Sequence, residues 1–192
     1  MEYRRLAEVA EIKICAKSPG RTSTSERPTR WLGCADLLKN NTIEPDLKEL
    51  PVTPDEECRI RVGDILIKRI SPTFVNYVDE VPEETYAGNN LIIVTPGPTV
   101  YPRYVAMLLN EHIQTLSESD SIGAVMKSVS RPALESFGIP WIPYDRQTVL
   151  GDLWYQGIEL EKMKAHLAER ETVKRNLQIK EYLESYGGNQ NG

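Results

Sequence analysis

The chain has 192 residues, 40% of them hydrophobic and 27% charged, and a formal net charge of -5. This is ordinary globular usage, which excludes a largely disordered chain, and the length admits one sizeable domain with an appendage or two small domains. No apolar run approaches the ~20 residues of a membrane span, and the opening MEYRRLAEVAEIKI lacks the apolar core of a signal peptide, so a cytoplasmic protein with no membrane contact is expected.

Residues 2–16 predict a short mixed element with Leu6, Val9, Ile12 and Ile14 apolar. KSPGRTSTSERPTR, residues 17–30, has no large apolar residue and is a long polar loop, a class that is often functional. WLGCADLLKNNTI returns to apolar character, and ELPVTPDEE is an exposed connection. In CRIRVGDILIKRI the alternation Arg59-Ile60-Arg61-Val62 predicts a half-buried strand, Gly63-Asp64 a turn, and Ile65-Leu66-Ile67 a buried strand. Residues 89–97, NNLIIVTPG, predict a second buried strand.

From Tyr101 the period becomes helical. Tyr101, Tyr104, Val105, Leu108, His112, Ile113 and Leu116 share one stripe, and Pro102 suits a first turn. SIGAVMKSVS predicts a loop and a short strand, and RPALESFG a single helical turn ended by Gly138. IPWIP is extended, with Trp141 set to pack into the domain. A long helix then follows from an N-cap at Asp145. Leu153, Leu160 and Leu167 recur every seven residues, with Met163 and Leu177 supplying part of a second row, an imperfect heptad pattern. Gly151 and Gly157 are expected where another backbone comes close, because glycine costs roughly 1 kcal/mol inside a helix. Two shorter helices broken near Gly157 or Thr172 are the alternative. The tail from 187 to 192 is disordered by composition.

Chemistry is sparse. His112 and His166 have no Cys, Asp or Glu at metal-ligand spacing, and no nucleophile-elbow, phosphate-loop or dinucleotide motif occurs. Cys15, Cys34 and Cys58 match neither a zinc pattern nor a disulfide framework and are expected as small apolar side chains. Asp64 is expected as a turn acid rather than a catalytic one. The pattern predicts a binding protein, not an enzyme, with no cofactor and no metal. Net charge argues mildly against nucleic acid, yet residues 17–30 and 59–69 are locally basic, and local field decides what a surface attracts.

Several segments occur in a telling order: WLGCADLL, VGDILIKRIS, LIIVTPG, YPRYVAMLLN and SVSRPALESFGIPWIPYDRQ, then the long helix. Together they resemble the specificity subunit of type I restriction-modification systems. The resemblance rests on Trp31, Asp36, Leu37, Gly63, Asp64, Arg69, Ser71, Tyr104, Leu134, Ile139, Pro140, Pro143 and Gln147.

It implies an α+β fold with three parts: a largely β target recognition domain over residues 1–143, a long coiled-coil-like spacer and dimerisation helix over 144–186, and the tail. It also implies a non-catalytic subunit that reads one half of a split target in double-stranded DNA. That subunit would dock the methyltransferase (modification) subunit and, through it, the restriction subunit. Family members usually carry two recognition domains and two helices. This chain carries one of each, so it reads as a half-subunit that forms a homodimer through Leu153, Gly157, Leu160, Met163, Leu167 and Leu177.

Candidate DNA contacts follow from side-chain chemistry, since arginine pairs with guanine and hydroxyls take phosphates. They are Arg21, Thr22, Ser23, Thr24, Arg27 and Arg30 on the polar loop, then Lys68, Arg69, Ser71, Thr73 and Asn76 leaving the β core. Lys127 and Arg131 flank another strand end. The alternative is a stand-alone DNA-binding or coiled-coil interaction protein without a methyltransferase partner.

Overall fold

A computed structural model of the chain describes residues 2–15, 28–39, 41–43, 47–51, 53–119 and 128–188. It divides into two compact units, Met1–Tyr155 and Gln156–Gly192. In the first, β1 (Glu2–Arg5) passes through one helical turn, α1 (Leu6–Val9), into β2 (Ala10–Cys15). Short strands follow: β3 (Thr29–Leu32), β4 (Leu37–Leu38), β5 (Thr42–Ile43) and β6 (Lys48–Leu50). Then come β7 (Ile65–Lys68), β8 (Val75–Tyr77), β9 (Thr85–Ala87), β10 (Leu91–Pro96), α2 (Pro102–Ser119), α3 (Arg131–Ser136) and β11 (Gly138–Trp141). The last element, α4 (Tyr144–Gly188), is one continuous helix of 45 residues.

The central sheet has the order β2-β10-β7-β8, and every pairing in it is antiparallel. Its two inner strands, ILIK and LIIVTP, are nearly all apolar because both faces are covered. Ile65, Ile67, Ile92 and Val94 turn to one core, where they meet Val105, Leu109 and Ile113 of α2. Leu66, Leu91 and Ile93 turn to the other, against Leu32, Leu37 and Val78. The remaining strands form a β6-β3-β9 sheet and two ribbons, β4-β5 and β1-β11.

The family-like residues hold this frame. Asp64 is buried, accepts from the Arg61 N–H at 2.7 Å and from the Thr95 hydroxyl at 2.7 Å, and burial pushes its carboxyl above the usual range. Gly63 beside it takes a φ of 94°, which the turn requires and glycine supplies. Tyr104 is buried and donates to the Pro140 carbonyl at 2.9 Å.

The start of α4 is fastened to this unit. Gln147 is buried; its Oε1 accepts from the Tyr101 N–H and its Nε2 donates to the Ile142 carbonyl, both at 2.9 Å. Gly151 lies against α2 so closely that a Cβ there would sit 2.6 Å from the Tyr104 nitrogen. Arg103 lies with its guanidinium carbon 4.0 Å from the Tyr155 ring centroid and 5.4 Å from that of Tyr77, and donates to Asp152 at 2.7 Å. Tyr101 donates to the same carboxylate at 2.7 Å, and Tyr155 donates to Asp79.

Four local expectations change. Residues 59–62 are not a strand: a 3₁₀ turn, Glu56–Cys58, precedes them, Arg59 makes only an isolated bridge to Tyr86, and Val62 is exposed. The long helix starts at Tyr144, so Asp145 stands exposed inside its first turn rather than capping it, and the Pro143 carbonyl accepts from the Arg146 and Gln147 N–H groups. Gly138 opens β11 rather than closing α3, whose cap hydrogen bond runs from the Phe137 N–H to the Leu134 carbonyl. Cys15 and Cys58 are joined in a disulfide, their Cα atoms 5.9 Å apart, because the end of β2 packs on the 3₁₀ turn; a separation of 43 residues gives no hint of that. Cys34 is free.

Candidate nucleic-acid interface

The register of the central sheet decides which candidates meet. Cys15 pairs with Leu91, and Leu91 pairs with Lys68, so these three residues form one row across β2, β10 and β7. Just beyond it, the Arg69 N–H donates to the Asn90 carbonyl at 3.0 Å, and the Val129 N–H donates to the Arg69 carbonyl at 3.0 Å. Ile70 bridges to Ser128. One end of the sheet therefore gathers Lys68, Arg69, Ser71, Asn89 and Asn90.

The two stretches with further candidates join the described chain here, at Cys15 and at Ser128. Arg21, Thr22, Ser23, Thr24 and Arg27, and likewise Lys127, lie outside the described residues.

At this end Lys68 is half-buried, with its Nζ 5.2 Å from the centroid of the Phe74 ring. Burial raises the Cys34 thiol, and the Lys68 charge nearby pulls it the other way. Arg69 donates through Nε to the Val129 carbonyl at 3.2 Å, which fixes its stem. Ser71 is exposed beside Pro72. A cation on an aromatic ring, a tethered arginine and a free hydroxyl are groups suited to phosphate and base contact.

Other candidates are differently placed. Arg30 belongs to the β6-β3-β9 sheet, where it pairs with Glu49 at 3.0 Å and donates to the Glu83 carbonyl at 3.1 Å. Arg131 pairs with Glu135 at 2.7 Å and faces a hollow shared with Glu11, Asp55 and Glu57. Both keep partly exposed charges, already balanced by acids.

Asn76 does not reach the surface at all. Its side chain is 0% exposed, and its amide donates to the carbonyls of Leu38 and Thr42 at 3.1 and 3.0 Å. It rivets the β4-β5 ribbon to β8. Thr73 is 1% exposed and lies below the surface.

The helical candidates are solvent-facing. Leu153 is exposed in the first unit, and Leu160, Met163, Leu167 and Leu177 are exposed in the second. Beyond its neighbours in the helix, Gly157 has no described atom within 4 Å of a built Cβ, unlike Gly151, so among the described residues only Gly151 answers a close approach. Among the described residues no group of three or more His, Cys, Asp or Glu is placed to hold a metal. None of their helices is long and apolar enough to cross a membrane.

Sequence reasoning missed the Arg103–Asp152–Tyr155 cluster, since its members lie about fifty positions apart and belong to no motif. It also missed Lys39, Phe74, Asn110 and Gln114, which carry no periodic signal.

No family model and no curated protein sequence matches the chain. Solved structures do match it in fold. A chain from a structure of type I restriction-modification complex assembly and conformational transition aligns with TM-score 0.62 and 19% identity, across 89% of this chain and 41% of that one. The HsdS subunit from Thermoanaerobacter tengcongensis aligns with TM-score 0.61 and 20% identity, across 83% and 37%. The type I S subunit from M. genitalium aligns with TM-score 0.50 and 13% identity, across 83% and 41%. The chain thus spans about two fifths of the solved chains it matches. Over the described residues it has the fold of a type I restriction-modification specificity subunit, a β-rich body followed by one long helix.

Proposed function

We propose that this chain is a non-catalytic DNA specificity subunit of a type I restriction-modification system, with its first unit reading one half of a split target. The single observation that carries the reading is the fold match over 83–89% of the chain to specificity subunits of about twice its length. The basic, hydroxyl-bearing end of the central sheet supports a DNA contact there. Methylation and cleavage then belong to the modification and restriction subunits, and α4 is the element that docks the former.

Two copies complete a target reader. The exposed leucines and Met163 of α4 are covered when two helices pair, and a two-fold arrangement makes both copies present the same surface. With antiparallel helices one recognition domain stands at each end, and the target is palindromic and split because both halves are read by the same domain.

The test co-expresses the chain with a type I modification subunit and maps methylated positions. A split palindrome is expected. Methylation at an undivided or asymmetric site overturns the two-copy arrangement, and failure of the two chains to co-purify overturns the subunit reading. Light scattering on the intact chain and on a version ending at Tyr155 supplies the second arm, a dimer against a monomer.

Within the DNA contact, replacing Lys68 and Arg69 together by Ala is expected to weaken binding to any duplex and to flatten its salt dependence, since each neutralised phosphate releases a counterion. Unchanged affinity for random duplex removes these two residues from the interface.

A further inference from the structure

Beside the Lys68 end, a cleft of about 190 Å³ opens between β8 and α2. Phe74 and Ile113 give it apolar sides; Lys39, Asn110 and Gln114 stand at it as polar groups. Among the described residues no acid lines it, in a chain whose net charge is -5. Thr73 also lines the cleft; it is 1% exposed, and its hydroxyl has no hydrogen-bond partner among the described residues. An unsatisfied buried hydroxyl is a standing cost, removed only when something supplies a partner.

The amides are prepared to different degrees. Gln114 donates through Nε2 to the Thr73 carbonyl at 3.0 Å, which holds the side chain still and leaves Oε1 to accept. Asn110 lies four residues earlier, on the same face of α2, and is exposed. An asparagine amide pairs bidentately with the N6 and N7 atoms of adenine. Lys39 is exposed, with the charge and reach for a phosphate. The cleft is continuous with the basic end through Phe74, whose ring carries the Lys68 ammonium on one side and forms a cleft wall.

We propose that this cleft is a base-reading site for DNA, with Asn110 selecting adenine, Gln114 accepting a second base-edge donor, the Thr73 hydroxyl gaining its missing partner, and Lys39 holding the adjacent phosphate. The proposal rests on the DNA-reading function above and assigns Lys39, Asn110 and Gln114 to it, which neither sequence motif nor fold likeness marks.

The experiment selects duplexes from a randomised library with the full chain, then repeats it with Asn110→Ala and with Thr73→Val. The parent is expected to enrich a motif containing an adenine. Asn110→Ala should lose preference at that one position by about 5- to 150-fold, the range of one bidentate pair, and leave affinity for random duplex unchanged. Thr73→Val should melt at or above the parent temperature, because the hydroxyl has no partner in the free protein, yet bind the enriched motif more weakly. A parent that enriches nothing sinks the DNA reading and this site with it. A parent that enriches a motif which Asn110→Ala binds unchanged leaves the DNA reading standing and overturns the cleft. A Thr73→Val protein that melts below the parent shows the hydroxyl to be structural and removes it from the site.

Discussion

Leucine behaves differently in the two units. Leu66, Leu91 and Leu109 in the first are 0% exposed, whereas Leu160, Leu167 and Leu177 in the second are 48%, 58% and 54% exposed. Composition does not separate them; cover does. The first unit has the two faces of its central sheet, α1, α2, α3 and the start of α4 with which to enclose its apolar side chains, and the second has only the rest of α4 among the described residues. A leucine left in water forgoes roughly 1.5–3 kcal/mol of burial, so a helix carrying several is unfinished until something lies along it. The first unit encloses most of its leucines, whereas those of the second stand exposed among the described residues.

The largest effect that tests this contrast is in the core. Leu109→Ala removes a buried side chain packed between α2 and the central sheet, and is expected to cost about 2–5 kcal/mol. Leu167→Ala, at an exposed helical position, is expected to leave thermal unfolding of the first unit within about 0.5 kcal/mol of the parent and to weaken self-association instead. Thermal melts and light scattering on both proteins decide it. If Leu167→Ala lowers the melting temperature of dilute, monomeric protein as much as Leu109→Ala does, α4 is covered within its own chain and the contrast fails.

Gly151→Ala comes next. A Cβ at Gly151 meets backbone atoms, the Tyr104 nitrogen at 2.6 Å and the Arg103 carbonyl carbon at 2.9 Å, which cannot rotate away. Forcing a methyl into such a contact costs about 1–3 kcal/mol. The variant should melt lower than the parent and lose protection of the Tyr101 amide, whose acceptor is Gln147 on α4. Parent-like melting together with a parent-like exchange rate shows that α2 and α4 have room to part.

What the sequence made legible is the frame. Continuous apolar runs found the inner strands and a period of 3.6 found α2, because cover on both faces imposes the first and burial of one face the second; the one period-two signal, Arg59–Val62, fell on a segment that is not a strand. Most of the motif residues that carried the family resemblance are also frame, Arg69 and Ser71 excepted. Asp64, Tyr104, Leu134, Ile139 and Gln147 are all buried, and each seats a turn, a helix or a strand. The candidate DNA contacts obey no such rule. Asn76, chosen for its position after a strand, is an interior rivet, while Lys39 and Asn110, which no pattern marks, stand at the cleft. Arg103 and Asp152 meet only because α2 and α4 cross at Gly151. Contacts between distant segments, the Cys15–Cys58 pair included, are made by the fold and leave no spacing behind them.

A smaller effect separates the helix's fastening from its exposed length. The Tyr101 hydroxyl, and then the Arg103 guanidinium, hold the Asp152 carboxyl below its ordinary value, so the folded state favours the carboxylate. A carboxyl depressed by folding stabilises the protein above its unfolded-state pKa, near 3.8, and that stability is lost as pH falls through the lower folded-state value. Asp152→Asn is therefore expected to melt below the parent at pH 7, with the gap closing as acid is added below pH ~4. A gap at Asp152 that stays constant from neutral pH into acid means the carboxylate charge contributes nothing to holding α4.

The smallest effect contrasts the two helical glycines. Beyond its neighbours in the helix, no described atom lies within 4 Å of a Cβ built at Gly157, so alanine fits there. Glycine inside a helix is about 1 kcal/mol less favourable than alanine, through backbone entropy. Gly157→Ala should thus raise the helicity of dilute protein slightly and leave unfolding of the first unit unchanged, the reverse of Gly151→Ala on the same helix. Its informative readout is association. If a second helix backbone passes close to Gly157, as the two-copy arrangement expects, the added methyl holds it off and the dimer dissociates at lower dilution than the parent's. Helicity and association rising together would show that no backbone passes there, and that Gly157 lies outside the interface formed by Leu160, Met163 and Leu167.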